Sequence, residues 1–286
     1  MQARKLALAT GLTYNVLEWD GPGDVTFVLV HGFSDLGYGW ADVAQRLALH
    51  GHVIAPDLRG HGDSDWVGPG GYYHFMDYVA DLDDVIVQLA RRRVVLVGHS
   101  MGGSVSSYYA GTRSDRPSAL VLLEGLGPPD MSDLDGPSRT IVWIDAWRAV
   151  RRKVRAMPSL EDAVRRLKKH DDRLDDALAL RLAEVGTRPV DGGLVWKHDP
   201  LHGTFGPYPF RLQVAIKYWQ RITCPVVIVD GAESKQMVSA VERASRRQWF
   251  SRHRHVVVPG AGHMIPRHQP ARVAELILDC LAPVAG

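Results

Sequence analysis

Cysteine is scarce in this chain: Cys224 and Cys280 are the only two in 286 residues. Two thiols make neither a disulfide framework nor a zinc site, and they read as ordinary thiols of a reducing compartment. Long apolar runs are missing too. No stretch approaches the roughly 18 apolar residues that a spanning helix needs, so no stable membrane insertion is expected. The apolar part of Met1–Thr10 is too short for a secretory leader. The expected location is therefore cytoplasmic. An excess of one charge is also lacking. Lys plus Arg is 34 and Asp plus Glu is 32, a net +2, which gives no basic footprint for nucleic acid. No nucleic-acid partner is expected, and homo-oligomerisation is left open. What the chain does have is ordinary: 45% apolar and 23% charged residues, a globular composition, in a length that permits a large core.

Short runs rich in β-branched residues recur and end at polar or glycine positions. Arg4–Ala9 and Tyr14–Trp19 flank Thr10-Gly11, the pattern of a hairpin. Val25–Val30 ends at His31-Gly32, Val53–Ala55 at Pro56-Asp57, and Val94–Val97 at Gly98. Ala119–Leu123 ends at Glu124-Gly125, Val226–Val229 at Asp230-Gly231, and His255–Val258 at Pro259-Gly260. Continuous apolar runs are what strands buried on both faces require. Helical patterns lie between them, at Trp40–Leu49, Met76–Arg91, Gly102–Thr112 and Ala271–Leu281. The alternation predicts a mostly parallel sheet with helices on both faces, an α/β fold. Chemistry in such sheets gathers at the carboxyl ends of the strands.

One of those ends carries Gly98-His99-Ser100-Met101-Gly102, a G-x-S-x-G pentapeptide between a strand run and a helix of small residues. That is the setting in which such a serine stands free on a tight turn. A serine hydroxyl is a weak nucleophile until a base takes its proton. His263, in Gly260-Ala261-Gly262-His263 after the last strand run, is the base candidate. Imidazole is the side chain that exchanges protons near neutrality.

Four motifs in order now carry a resemblance. They are His31-Gly32-Phe33, the Asp57–Ser64 segment (DLRGHGDS), Gly98–Gly103 and Gly260–His263. The chain resembles α/β-hydrolase-fold serine hydrolases, esterase- or lipase-like, over roughly residues 14–283. The resemblance implies a Ser-His-acid triad and no metal or organic cofactor. It also implies an oxyanion hole from the N–H groups of Met101 and Phe33. Asp57 and His61 are expected to organise their turn. His31 and His99 lie near the same strand ends; His31 is expected to shape the oxyanion loop and His99 to pack beside the nucleophile turn, and both, with Met264, to border the substrate.

The acid departs from the commonest pattern of that family. An aspartate is expected three residues after Gly231, but Ser234 stands there. Glu124, at the end of the strand after the nucleophile strand, is the favoured acid because it keeps the order Ser…Glu…His. Asp230 and Glu233 are the alternatives.

Residues 128–221 show no strand run, too long a stretch for a simple connection. Helical patterns at Thr140–Met157, Leu160–His170, Leu174–Val185 and Phe210–Arg221 predict an all-helical lid inserted between core segments 1–127 and 222–286. Gly192–Gly206 reads as loop. Ile141, Ile144 and Trp147 suggest one apolar face, and Trp143 and Trp147 are expected to line an apolar pocket over Ser100. Two basic runs are present, Arg148–Arg155 and Arg165–Lys169, followed by Asp171, Asp172, Asp175 and Asp176. They read as solvated, locally paired faces. The expected activity is carboxylesterase-like hydrolysis of a small-molecule ester substrate. Thioester, lactone or C–C hydrolysis, acyl transfer, and non-catalytic binding on the same fold remain alternatives.

Overall fold

The computed structural model describes residues 1–133, 136–150, 156–204, 206–235 and 237–281. Eight strands form one sheet: β1 (Gln2–Ala7), β2 (Thr13–Trp19), β3 (Val25–Val30), β4 (His52–Pro56), β5 (Arg93–His99), β6 (Pro117–Leu123), β9 (Val226–Gly231) and β10 (His253–Val258). A separate hairpin comprises β7 (Thr187–Val190) and β8 (Gly193–Trp196). The spatial order is β1-β2-β4-β3-β5-β6-β9-β10. The pairs β1–β2 and β2–β4 are antiparallel. From β4 to β10 every pair is parallel.

Helices α1 (Ala41–Leu47), α2 (Phe75–Leu89), α3 (Met101–Thr112), α4 (Gly136–Val150), α5 (Leu160–His170), α6 (Asp176–Gly186), α7 (Leu212–Trp219), α8 (Ala240–Arg247), α9 (Ile265–His268) and α10 (Pro270–Leu278) complete the chain. The central strands are apolar at consecutive positions because both faces are covered. Val28, Val30, Leu96 and Leu122 face one core, closed by Leu82, Val85, Ile86, Val105 and Trp219. Their neighbours Phe27, Leu29, Val97 and Val121 face the other, closed by Val43, Leu47, Val273 and Ile277. Each such side chain, fully buried, contributes about 1.5–3 kcal/mol.

The segment between β6 and β9 departs from the reading above in three respects. It is not all-helical. The stretch read as loop contains β8, which pairs with the preceding β7 through the turn at Asp191-Gly192 and is extended by a bridge from Met157 to Leu194. Its last helix, α7, is part of the core: Trp219 is 1% exposed and donates through Nε1 to Ser107 Oγ on α3 at 3.1 Å. Finally, α4 has a different apolar face. Ile141 and Ile144 are exposed, whereas Arg139, Thr140, Trp143 and Trp147 line a common pocket. Of the first basic run, residues 151–155 lie outside the described residues. In the second, Arg165 pairs with Asp162 and Lys168 with Asp176.

Candidate active site

Ser100 occupies the turn between β5 and α3 at φ 52°, ψ −119°. A non-glycine residue at positive φ is strained and persists only where the surroundings impose it. Here the packing does so. A Cβ on Gly98 would meet Gly102 O at 2.4 Å, and one on Gly102 would meet Val30 O at 2.3 Å. Only glycine lets α3 start this close to β3 and β5. The consequence is a hydroxyl standing clear of the sheet at the N-terminus of a twelve-residue helix, where negative charge is favoured.

His263 brings its imidazole to that hydroxyl. Nε2 lies 3.1 Å from Ser100 Oγ, and Nδ1 lies 3.3 Å from Glu124 Oε2. The ring is about half exposed, whereas the Glu124 side chain is 1% exposed. A carboxylate so buried needs donors, and it has them. Gly231 N–H donates to Oε1 at 2.7 Å, and the Ser234 hydroxyl donates to Oε2 at 2.8 Å. The serine that breaks the expected pattern thus hydrogen-bonds the carboxylate that faces His263. The sequence pointed to Ser234 only as a loss, because its bond to Glu124 spans two neighbouring strands.

The alternative acids lie elsewhere. Asp230 Oδ2 is 2.9 Å from His255 Nε2, with Arg243 and Arg247 within 3.7 Å. Glu233 pairs with Arg173.

The loop after β3 approaches the same hydroxyl. A Cβ on Gly32 would lie 3.1 Å from Ser100 Cβ. The next N–H, of Phe33, and the N–H of Met101 donate to no protein group among the described residues. Two free N–H groups beside a nucleophile are what an oxyanion hole requires. The Phe33 ring is 51% exposed, edge-on to His202, whose centroid lies 5.8 Å away. His202 comes from a short 3-10 turn after β8 and had no signal in the sequence. It accepts from Tyr78 Oη at 2.8 Å and stacks on Tyr73.

Of the residues expected to border substrate, several do something else. His31 is fully buried and ties the loop together: Leu58 N–H donates to its Nε2 at 2.9 Å. His99 is 3% exposed and donates from Nε2 to the His263 carbonyl at 2.8 Å. Burial, with the neighbouring His263, pushes His99 down to about 3, so it stays neutral and serves as a fixed donor. Burial, with His202 and His31 beside it, likewise lowers His61 well below the usual range. Burial lowers His202 to about 3. Trp143 and Trp147 line a cleft of about 970 Å³ with Tyr72, Arg139 and Tyr208, and neither Ser100, Glu124 nor His263 is on its wall. Met264, half-buried, follows His263 directly at the start of α9.

Asp57 organises its turn as expected, accepting from Gly37 N, Asn15 Nδ2 and Asp63 N at 2.7–3.0 Å. Among the described residues no cluster of His, Cys, Asp and Glu has the makings of a metal site. No described helix is long and apolar enough to cross a membrane.

Known proteins are similar to this chain in sequence and fold. The Serine hydrolase-like protein of Danio rerio is 30% identical over 262 residues, 89% of this chain and 80% of that protein. The 2-(acetamidomethylene)succinate hydrolase of Mesorhizobium japonicum is 30% identical over 273 residues, 94% and 91% of the two chains. Among solved structures, a thioesterase domain from the curacin biosynthetic pathway superposes with a TM-score of 0.88 at 26% identity. It covers 98% of this chain and 99% of its own. Residues 27–276 match the Alpha/beta hydrolase family. With that match spanning the sheet from β3 to α10, the chain belongs to the alpha/beta hydrolase family and is a hydrolase.

Proposed function

We propose that the chain is a serine hydrolase that cleaves carboxylic esters through an acyl-enzyme, with Ser100, His263 and Glu124 as its triad. The observation that carries this reading is the continuous chain Ser100 Oγ, His263 Nε2, His263 Nδ1, Glu124 Oε2, with spacings of 3.1 and 3.3 Å. Ser100 Oγ attacks the carbonyl carbon as its proton passes to His263 Nε2. Glu124 accepts from Nδ1–H, fixes the ring's tautomer and stabilises the imidazolium. The carbonyl oxygen gains negative charge and is received by the N–H groups of Phe33 and Met101. His263 returns its proton to the departing alcohol. Water, activated by the same imidazole, then opens the acyl-enzyme and regenerates Ser100.

The described residues between β6 and α7 form the covering segment in this reading, and His202 with Phe33 borders the acyl group. The substrate is a small-to-medium apolar ester, taken up in the cytoplasm. The likeness to a thioesterase domain favours thioesters as the second reading, with the same attack and a thiol leaving. A local match to an Epoxide hydrolase 3 of Siraitia grosvenorii covers 36% of the chain. It carries less weight, since epoxide hydrolases of this fold use an aspartate where Ser100 stands.

The test is hydrolysis of p-nitrophenyl esters of graded acyl length, with matched thioesters and fluorophosphonate labelling. Wild type is expected to turn over and to be labelled. Ser100→Ala abolishes both. Glu124→Gln lowers kcat by about 10³–10⁴ while the protein stays folded. A wild type inert to all ester and thioester substrates and to the phosphonate overturns the reading in favour of a binding protein.

A further inference from the structure

The turn between α5 and α6 makes buried polar contacts with the loop that carries His263. Asp171, which follows α5, accepts from His268 Nε2 at 2.8 Å, and both side chains are less than a tenth exposed. The other ring nitrogen, His268 Nδ1, accepts from Gly262 N–H at 3.0 Å. Gly262 directly precedes His263, whose carbonyl in turn accepts from His99 Nε2. The backbone on both sides of His263 is therefore held by an imidazole. Two residues past Asp171, Arg173 pairs with Glu233, the neighbour of Ser234.

We propose that Asp171 and His268 are positioning residues for the triad: a second carboxylate–histidine pair through which the inserted segment holds the His263 loop at its working distance from Ser100. The proposal rests on the serine-hydrolase reading. The chemistry follows from the tautomer. Gly262 N–H needs an acceptor, so Nδ1 must be bare and the ring's proton must sit on Nε2. Only a partner at Nε2 fixes that choice, as carboxylates do for histidines in other sites. Without Asp171 the ring is free to carry its proton on Nδ1. Two N–H groups then face each other and the loop relaxes. Burial acts to raise Asp171, but the His268 hydrogen bond, the Arg267 guanidinium and the Arg173 backbone N–H hold it below the usual carboxylate range. It is the charged partner at neutral pH. His263 itself is half exposed, so its position depends on what holds its backbone.

The experiment compares Asp171→Leu, His268→Leu and His268→Gln with wild type, using a short p-nitrophenyl ester and fluorophosphonate labelling of Ser100. Thermal melts identify the variants that fold. A glutamine amide offers one acceptor and one donor and so replaces the imidazole in both bonds. The two leucine variants are expected to lose about tenfold or more in kcat with KM within twofold, as a displaced catalytic group does. Labelling slows by the same factor. His268→Gln recovers most of the rate, and the double leucine variant is no worse than either single, since both break one chain. Folded leucine variants with unchanged kcat, a loss confined to KM, or additive losses overturn the proposal. If wild type neither turns over nor is labelled, the serine-hydrolase reading fails. The pair is then judged by NMR of the His263 ring: its titration midpoint shifts in Asp171→Leu if the pair sets its environment, and an unchanged midpoint overturns the proposal.

Discussion

At the scale of single residues, the acid of the proposed triad is a matter of which strand end carries it. Glu124 and Ser234 lie side by side at the ends of β6 and β9, 2.8 Å apart through their oxygens. A carboxylate at either position comes within reach of the same imidazole. Moving it is therefore expected to work. Glu124→Ala loses most activity, and Ser234→Asp added to it recovers at least a hundredfold, read as kcat on a p-nitrophenyl ester. No recovery in a folded double variant contradicts the shared position. Ser100 and His263 were legible in the sequence because each sits in a glycine-framed motif at a strand end. Glu124 was legible as the last residue of an apolar run. The part played by Ser234 was not, since it exists only in the pairing of β6 with β9. Nor was that of His202, which reaches Phe33 from nearly 170 residues away.

At the scale of elements, the nucleophile turn depends on atoms that are absent. Gly102→Ala puts a methyl 2.3 Å from Val30 O, and the neighbour there is backbone that cannot swing aside. Overpacking of this kind costs about 1–3 kcal/mol or more. The variant is expected to melt several degrees lower and to lose fluorophosphonate labelling. A wild-type melting curve with full labelling would show that α3 has room to move. The parallel strands were legible because burial on both faces writes itself as unbroken apolar runs. The hairpin β7–β8 was not. Its strands are four residues each and contain Pro189, although Asp191-Gly192 is a hairpin signal. The phase of α4 was also illegible. Ile141–Ile144, Ala146, Trp147, Ala149 and Val150 make it apolar nearly all round, so spacing alone does not say which side packs.

At the scale of the whole molecule, buried histidines set the acid limit of stability. His61, His99 and His202 all titrate below the ordinary imidazole range because burial penalises their charged forms. In the unfolded chain they take up protons near pH 6.5, and in the folded chain they do not. The unfolded state then binds more protons, so stability rises with pH across that interval. Their contribution is complete above about pH 6.5 and is lost as pH falls toward 3, by up to ~1.4 kcal/mol per pH unit for each histidine. Urea unfolding at pH 7, 6, 5 and 4 is expected to show this fall. In His202→Asn the slope drops by about one proton, and an unchanged slope would mean that His202 is charged in the native protein.

The sheet also bears on how the proposed triad can fail. Ser100 N–H donates to Leu123 O and Glu124 N–H to Val229 O, each at 2.9 Å, so both residues continue ladders that begin deep in the sheet. His99 pairs with Leu123 one step before them. Ser100 and Glu124 are thus both anchored to one sheet, and the third member of the proposed triad, His263, is carried on a loop. Its rest position decides whether a collision at Ser100 is productive, and a ligand that crowds that loop governs the whole constellation without touching the other two members.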